Sequence, residues 1–136
     1  MNATNELTEI FGEPISVYTR AQAIDDGFLV DISELAREAG FRYPVAMTSD
    51  AFSKYVEVPE EFTGSGQSVE GRAWDVINTL QHAIRRSSGG AKVRFQTLFA
   101  MPSAGGAGRS HTERATFICT VGPGDHAEPV MTIELA

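Results

Sequence analysis

The residues from which chemistry would first be sought in this chain are three histidines, one cysteine and two glycine-rich stretches. A metal site asks for neighbouring ligands, such as a helical i, i+4 pair. His82, His111 and His126 fall on a predicted helix, hairpin loop and turn. Around His82, no His, Asp, Glu or Cys lies four residues to either side. A catalytic thiolate needs a basic, accessible setting, whereas Cys119 falls on the apolar face of a predicted strand and reads as a small buried hydrophobe. A single cysteine also excludes an internal disulfide and a Cys-rich metal site. Gly105-Gly106-Ala107-Gly108-Arg109-Ser110 suggests a phosphate loop but has neither the lysine nor the strand-to-helix context of one. It reads as a hairpin tip, and Gly64-Ser65-Gly66 fails in the same way. No metal, cofactor or nucleotide is expected.

Tyr18, Thr19, Arg20 and Asp31 form a second set, with charged groups at the starts of short elements. One reading makes Arg20–Asp31 and Arg72–Asp75 buried ion pairs that hold an irregular fold. The other makes a pocket near Tyr18, Arg20 and Trp74 for a small anion, or a small enzyme with Tyr18, Arg20 and Asp31 near its centre. No nucleophile, base and orienting group can be drawn together from the chain. Asp125 is expected to bond the backbone of its own turn, and Trp74 to be core.

These residues need elements to position them. Residues 1–13 are expected to be frayed, followed by an extended segment from Ile15 to Tyr18. Thr19 caps a brief helix from Arg20 to Asp26, which Gly27 stops in the left-handed region. Phe28 to Ile32 reads as a short strand, and Ser33 caps a helix ending at Gly40. Pro44 keeps Tyr43 to Met47 extended, and Thr48, Ser49 and Asp50 offer caps for a short helix bearing Ala51, Phe52 and Tyr55. Residues 57–70 are a loop of Pro, Gly, Ser and acid. Apolar residues at 69, 73, 76, 77, 80 and 84 recur at helical steps and predict a helix over 69–86. Three strands follow, at 92–101, 113–121 and 130–135, each alternating with period two. Their inward residues are Val93, Phe95 and Phe99, then Ala115, Phe117, Cys119 and Val121, then Met131, Ile133 and Leu135. The expected fold is a single α+β domain over 1–136. A three-stranded antiparallel C-terminal meander is covered by one long helix, beside an irregular first half of short helices and strands.

At 136 residues, 42% hydrophobic and 21% charged, the chain is of single-domain size with enough apolar content for a core. No run approaches the roughly 20 apolar residues of a membrane span, and the start carries no secretory pattern. A cytoplasmic protein with no membrane association is expected. Charge is uneven. Residues 1–70 carry 13 Asp/Glu against 4 Lys/Arg, a net of −9, while residues 71–136 carry 5 against 7, a net of +2. Such a chain repels nucleic acid and is drawn to basic surfaces. Direct nucleic-acid binding is therefore not expected.

Several segments resemble a known family. They are Val17-Tyr18-Thr19-Arg20-Ala21-Gln22-Ala23-Ile24-Asp25-Asp26-Gly27 with Leu29-Val30-Asp31, and Ala36-Arg37-Glu38-Ala39-Gly40-Phe41-Arg42-Tyr43-Pro44-Val45-Ala46. Gly71-Arg72-Ala73-Trp74-Asp75-Val76, Val93-Arg94-Phe95 and Val121-Gly122-Pro123-Gly124-Asp125 with Glu128-Pro129-Val130 follow in order. The chain is similar over residues 15–135 to an uncharacterised group of small proteins carried on proteobacterial plasmids and mobile elements. The resemblance implies no catalytic residues. It implies a setting, among accessory genes beside anti-restriction and similar cargo.

The function expected from these readings is a non-enzymatic accessory protein that inhibits a bacterial defence system, anti-CRISPR or anti-restriction. It would bind a protein partner, a basic nucleic-acid-binding component of a defence complex. Asp25, Asp26, Glu34, Glu38, Glu57, Glu60 and Glu61 would form the binding surface. The alternative is a small enzyme or ligand-binding domain centred on Tyr18, Arg20 and Asp31. A homo-oligomer using the edge of the C-terminal sheet is a third reading.

Overall fold

Alternation of apolar and polar residues in the last third of the chain builds the sheet on which everything else rests. The computed structural model describes residues 18–104 and 109–136. The start expected to be frayed, the segment before Tyr18 expected to be extended and the expected hairpin tip at 105–108 lie outside the described residues. Strands β3 (Lys92–Pro102), β4 (Ser110–Pro123) and β5 (Pro129–Leu135) form the antiparallel meander. Phe95, Thr97 and Phe99 of β3, Ala115, Phe117 and Cys119 of β4, and Met131 and Ile133 of β5 are buried. These agree with the face expected from period two.

The meander is part of a larger sheet. β1 (Leu29–Asp31) and β2 (Val45–Thr48) extend it to five strands in the order β1-β2-β5-β4-β3. β2 runs parallel to β5, with Val45 opposite Met131 and Met47 opposite Ile133, and antiparallel to β1. The first half is therefore tied to the C-terminal sheet. Val45, Ala46 and Met47 are all fully buried, as a strand covered on both faces must be.

The helix predicted over 69–86 is α4 (Val69–Arg86), opened by Ser68, whose side chain accepts the Gly71 N–H. It covers the inner face with Ala73, Val76, Ile77 and Leu80, while Val69 is exposed. Among the described residues three shorter α-helices precede it. Thr19 opens α1 (Arg20–Asp25) with a reciprocal Thr19–Gln22 capping box, and Gly27 follows at φ 84°. α2 (Ser33–Glu38) starts one residue earlier than expected. Ser33 does not cap it, since its hydroxyl instead donates to the Asp31 carboxylate and accepts the Val45 N–H, with the Val45 carbonyl 3.2 Å away. Thr48 caps α3 (Ser49–Ala51), which continues as a π turn over Phe52–Val56. This irregular turn points Tyr55 into the core, stacked on Phe99 at 5.4 Å between ring centroids.

Candidate functional site

Tyr18 and Arg20 stand at the start of α1 and Asp31 at the end of β1, and each bonds partners other than the expected ones. Thr132 and Ala46 are paired neighbours on the sheet face opposite α4, and the Arg20 guanidinium reaches this face. It donates to Thr132 Oγ1 at 2.7 Å and to the Met131 carbonyl at 2.7 Å. Asp31 forms no ion pair with it and instead accepts the Ser33 N–H at 2.9 Å. Burial lowers the Arg20 pKa, and the negative charges of Asp31, Asp125 and Glu128 oppose that shift. Tyr18 donates to Asp26 at 2.6 Å, which pushes the phenol up to about 12. Through its bonds to Thr132 and Met131, Arg20 fastens α1 to the sheet.

Asp125 also departs from expectation. Its carboxylate accepts the Arg20 N–H at 2.7 Å and the Ala21 N–H at 3.0 Å, so it caps α1 from the turn between β4 and β5. In that turn a Cβ on Gly124 would sit 1.6 Å from Glu128 Oε1 and 2.8 Å from Val130 Cγ1, so a side chain there would displace the Glu128 carboxylate and crowd Val130. The two backbone donors hold the Asp125 pKa below the ordinary carboxylate value. Because the folded value is depressed, the stabilisation is present at neutral pH and lost as pH falls through it. Asp125→Asn should therefore lower Tm at pH 7, and the gap from the wild type should close as pH drops below the usual carboxylate range. Parallel Tm–pH curves would show that the carboxylate does not hold α1.

Arg72 pairs with backbone carbonyls and not with Asp75, which is exposed. It is 2% exposed, and it donates to the carbonyls of Tyr55 at 2.7 Å and Ala100 at 3.1 Å and to Gln67 Oε1 at 3.3 Å. Its guanidinium carbon also lies 4.9 Å from the Phe99 ring centroid. Cys119 is buried, and loss of solvent pushes its thiol up to about 12. Such a thiol is the inert kind. Among the described residues, no group of three or more His, Cys, Asp or Glu is placed to hold a metal ion. None of the described helices is long and apolar enough to cross a membrane.

All seven acids expected to meet a partner are exposed: Asp25 at the end of α1 and Asp26 just after it, Glu34 and Glu38 on α2, and Glu57, Glu60 and Glu61 between α3 and α4. None forms an ion pair with a described residue; the one such pair is His111–Glu113 at 3.9 Å. Asp26 is engaged by Tyr18. Glu38 meets Glu70, which the sequence reading did not select, at a cleft of about 310 Å³ beside the half-buried Trp74.

Larger hollows lie at the other end of α4. Between its last turns and β3 runs a groove of about 830 Å³ lined by His82, Arg86, Lys92 and Arg94 among others. Next to it a cavity of about 540 Å³ has Phe41, Ile84, Val93, Val121 and Met131 in its walls. Arg42 and Arg85 also line that cavity, and no carboxylate lines either hollow. The 18-residue helix is about 27 Å long. It has Glu70 in its first turn, and Arg85 and Arg86 in its last, each sign complementing the local helix dipole. Sequence reasoning missed the cavity because its walls come from segments far apart in the chain, and it missed the groove, built from the single stretch 79–96, because the gap there depends on how α4 leans over β3. The only local signal was the Arg85-Arg86 pair.

No curated protein and no solved structure matches the chain. A match to a family does run the full length, over residues 1–136. The chain belongs to a family of unknown function (DUF6573).

Proposed function

We propose that the chain is a non-enzymatic accessory protein that binds a basic protein partner through its acidic first half. The observation that carries this reading is the exposure of all seven carboxylates on α1, α2 and the α3–α4 segment, none in an ion pair with a described residue. Exposed unpaired carboxylates contribute little to folding, but they speed encounter with a surface of opposite charge. The resemblance to plasmid-borne proteins supports a partner in bacterial defence, a nucleic-acid-binding component of a CRISPR effector or a restriction enzyme. In that case the acids would compete with nucleic acid for its basic groove.

The test begins with affinity capture from cells that carry such systems, followed by association kinetics with the purified partner. The Debye length shrinks from about 10 Å at 0.1 M salt to about 3 Å at 1 M. Association should therefore slow by about tenfold or more as salt rises over that range. The triple variant Glu57→Gln, Glu60→Gln, Glu61→Gln should slow it at low salt. Rates indifferent to both changes would reduce the acids to a solvated face and end the proposal.

A further inference from the structure

The geometry points to a second site, independent of the acidic face: the cavity at the C-terminal end of α4 binds a small amphipathic anion, a carboxylate carrying an apolar tail. Its volume of about 540 Å³ is within the range of small-molecule sites, which are typically apolar with a few polar groups fixing orientation. The walls divide by chemistry. Phe41, Ile84, Val93, Val121 and Met131 supply an apolar surface from the segment after α2, from α4 and from three strands. Arg42 and Arg85, both exposed, supply the charge. Neither forms an ion pair with a described residue, so their donors are not committed to a carboxylate there.

Charge complementarity selects the ligand. With two guanidinium groups and no carboxylate in the lining, a cationic group finds no opposite charge, whereas a carboxylate can accept bidentate hydrogen bonds from arginine. An anion too small to reach the apolar walls would leave them wet. The negative end of the α4 dipole opposes an anion at this place, but it is weaker than one charge-assisted hydrogen bond, and two arginines are present. The neighbouring groove lined by His82, Arg86, Lys92 and Arg94 adds positive potential on the same side. An anionic ligand is favoured at long range as well as in contact.

Octanoate, octylamine and acetate are the probes, titrated into the ¹⁵N-labelled full chain with amide shifts as the readout. Octanoate should shift the Gly40, Phe41, Gly89, Gly90 and Val93 amides saturably. Acetate lacks the tail and octylamine reverses the charge, so neither should do so. The double variant Arg42→Ala, Arg85→Ala alters only exposed side chains and should fold. It should raise the octanoate Kd by about tenfold or more, the factor expected from losing about 1.4 kcal/mol. Octylamine binding as well as octanoate at these amides would overturn the proposal, as would a Kd unchanged in the double variant. So would saturable acetate binding of equal strength. None of these results bears on the acidic surface, because no residue is shared.

Discussion

Replacing Arg72 by alanine is expected to cost about 3–5 kcal/mol of folding free energy, the scale for losing two hydrogen bonds from a charged group to buried carbonyls. The expectation starts from position: Arg72 lies on the face of α4 that meets the π turn and the far end of β3, where it is 2% exposed. Its Nε donates to the Tyr55 carbonyl, and one Nη donates to the Ala100 carbonyl and Gln67 Oε1. The guanidinium packs over Phe99. Alanine would leave two carbonyls short of a donor and a cavity against an aromatic ring. Hydrogen bonds to a charged group contribute about 1.5–3 kcal/mol each. Arg72→Lys should recover less than half the loss, because a single ammonium cannot span the Tyr55 and Ala100 carbonyls as a planar fork does. Urea unfolding of the three proteins measures this. Full recovery by lysine would show that charge alone matters there, and not the fork.

The second large effect is expected at Phe117→Ala, also about 3–5 kcal/mol. Phe117 is fully buried at the middle of β4. Its ring lies 5.4 Å from Phe95, 5.8 Å from Tyr55 and 6.4 Å from Phe99, measured between centroids. Tyr55 enters this cluster from the π turn, so truncation opens a hole where the first half of the chain meets the second. Phe117→Leu should cost less than about 1.5 kcal/mol, since most of the volume is kept. Leu98→Ala, one strand away but 58% exposed on the open face, should stay within about 0.5 kcal/mol. Equal denaturation midpoints for Phe117→Ala and Leu98→Ala would contradict the assignment of the buried face.

The candidate sites divide according to how their residues are placed along the chain. Exposure of the acids was legible, because carboxylates in turns and on short helices without apolar neighbours have little reason to leave water. The partners of Arg20, Arg72 and Asp125 were not. Each bonds groups distant in sequence: Arg20 to Thr132 and Met131, Arg72 to Tyr55 and Ala100, Asp125 to the backbone of Arg20 and Ala21. Proximity in sequence suggested Arg20 with Asp31 and Arg72 with Asp75. Backbone and hydroxyl oxygens took those places, because a buried guanidinium needs several well-aimed acceptors more than it needs one opposite charge.

By itself the sequence determined the long helix and the inward faces of the last three strands. Helical spacing over 69–86 and alternation over 92–135 are local signals that state both the element and its buried side. It also determined the caps at Thr19 and Thr48, where a side-chain oxygen satisfies a backbone donor a few residues away. That β2 lies parallel to β5 and makes the sheet five-stranded follows from long-range packing alone. The run Val45-Ala46-Met47 is apolar on both faces, so its pattern demands burial without naming a neighbour. Its place was set by the strand edge left open on β5 and by the helices available to cover both sides. The cavity beneath Arg42 and Arg85 has the same origin. Its walls are the places where α4, the segment after α2 and the sheet do not close on one another, and such a gap belongs to packing and to no local stretch of chain.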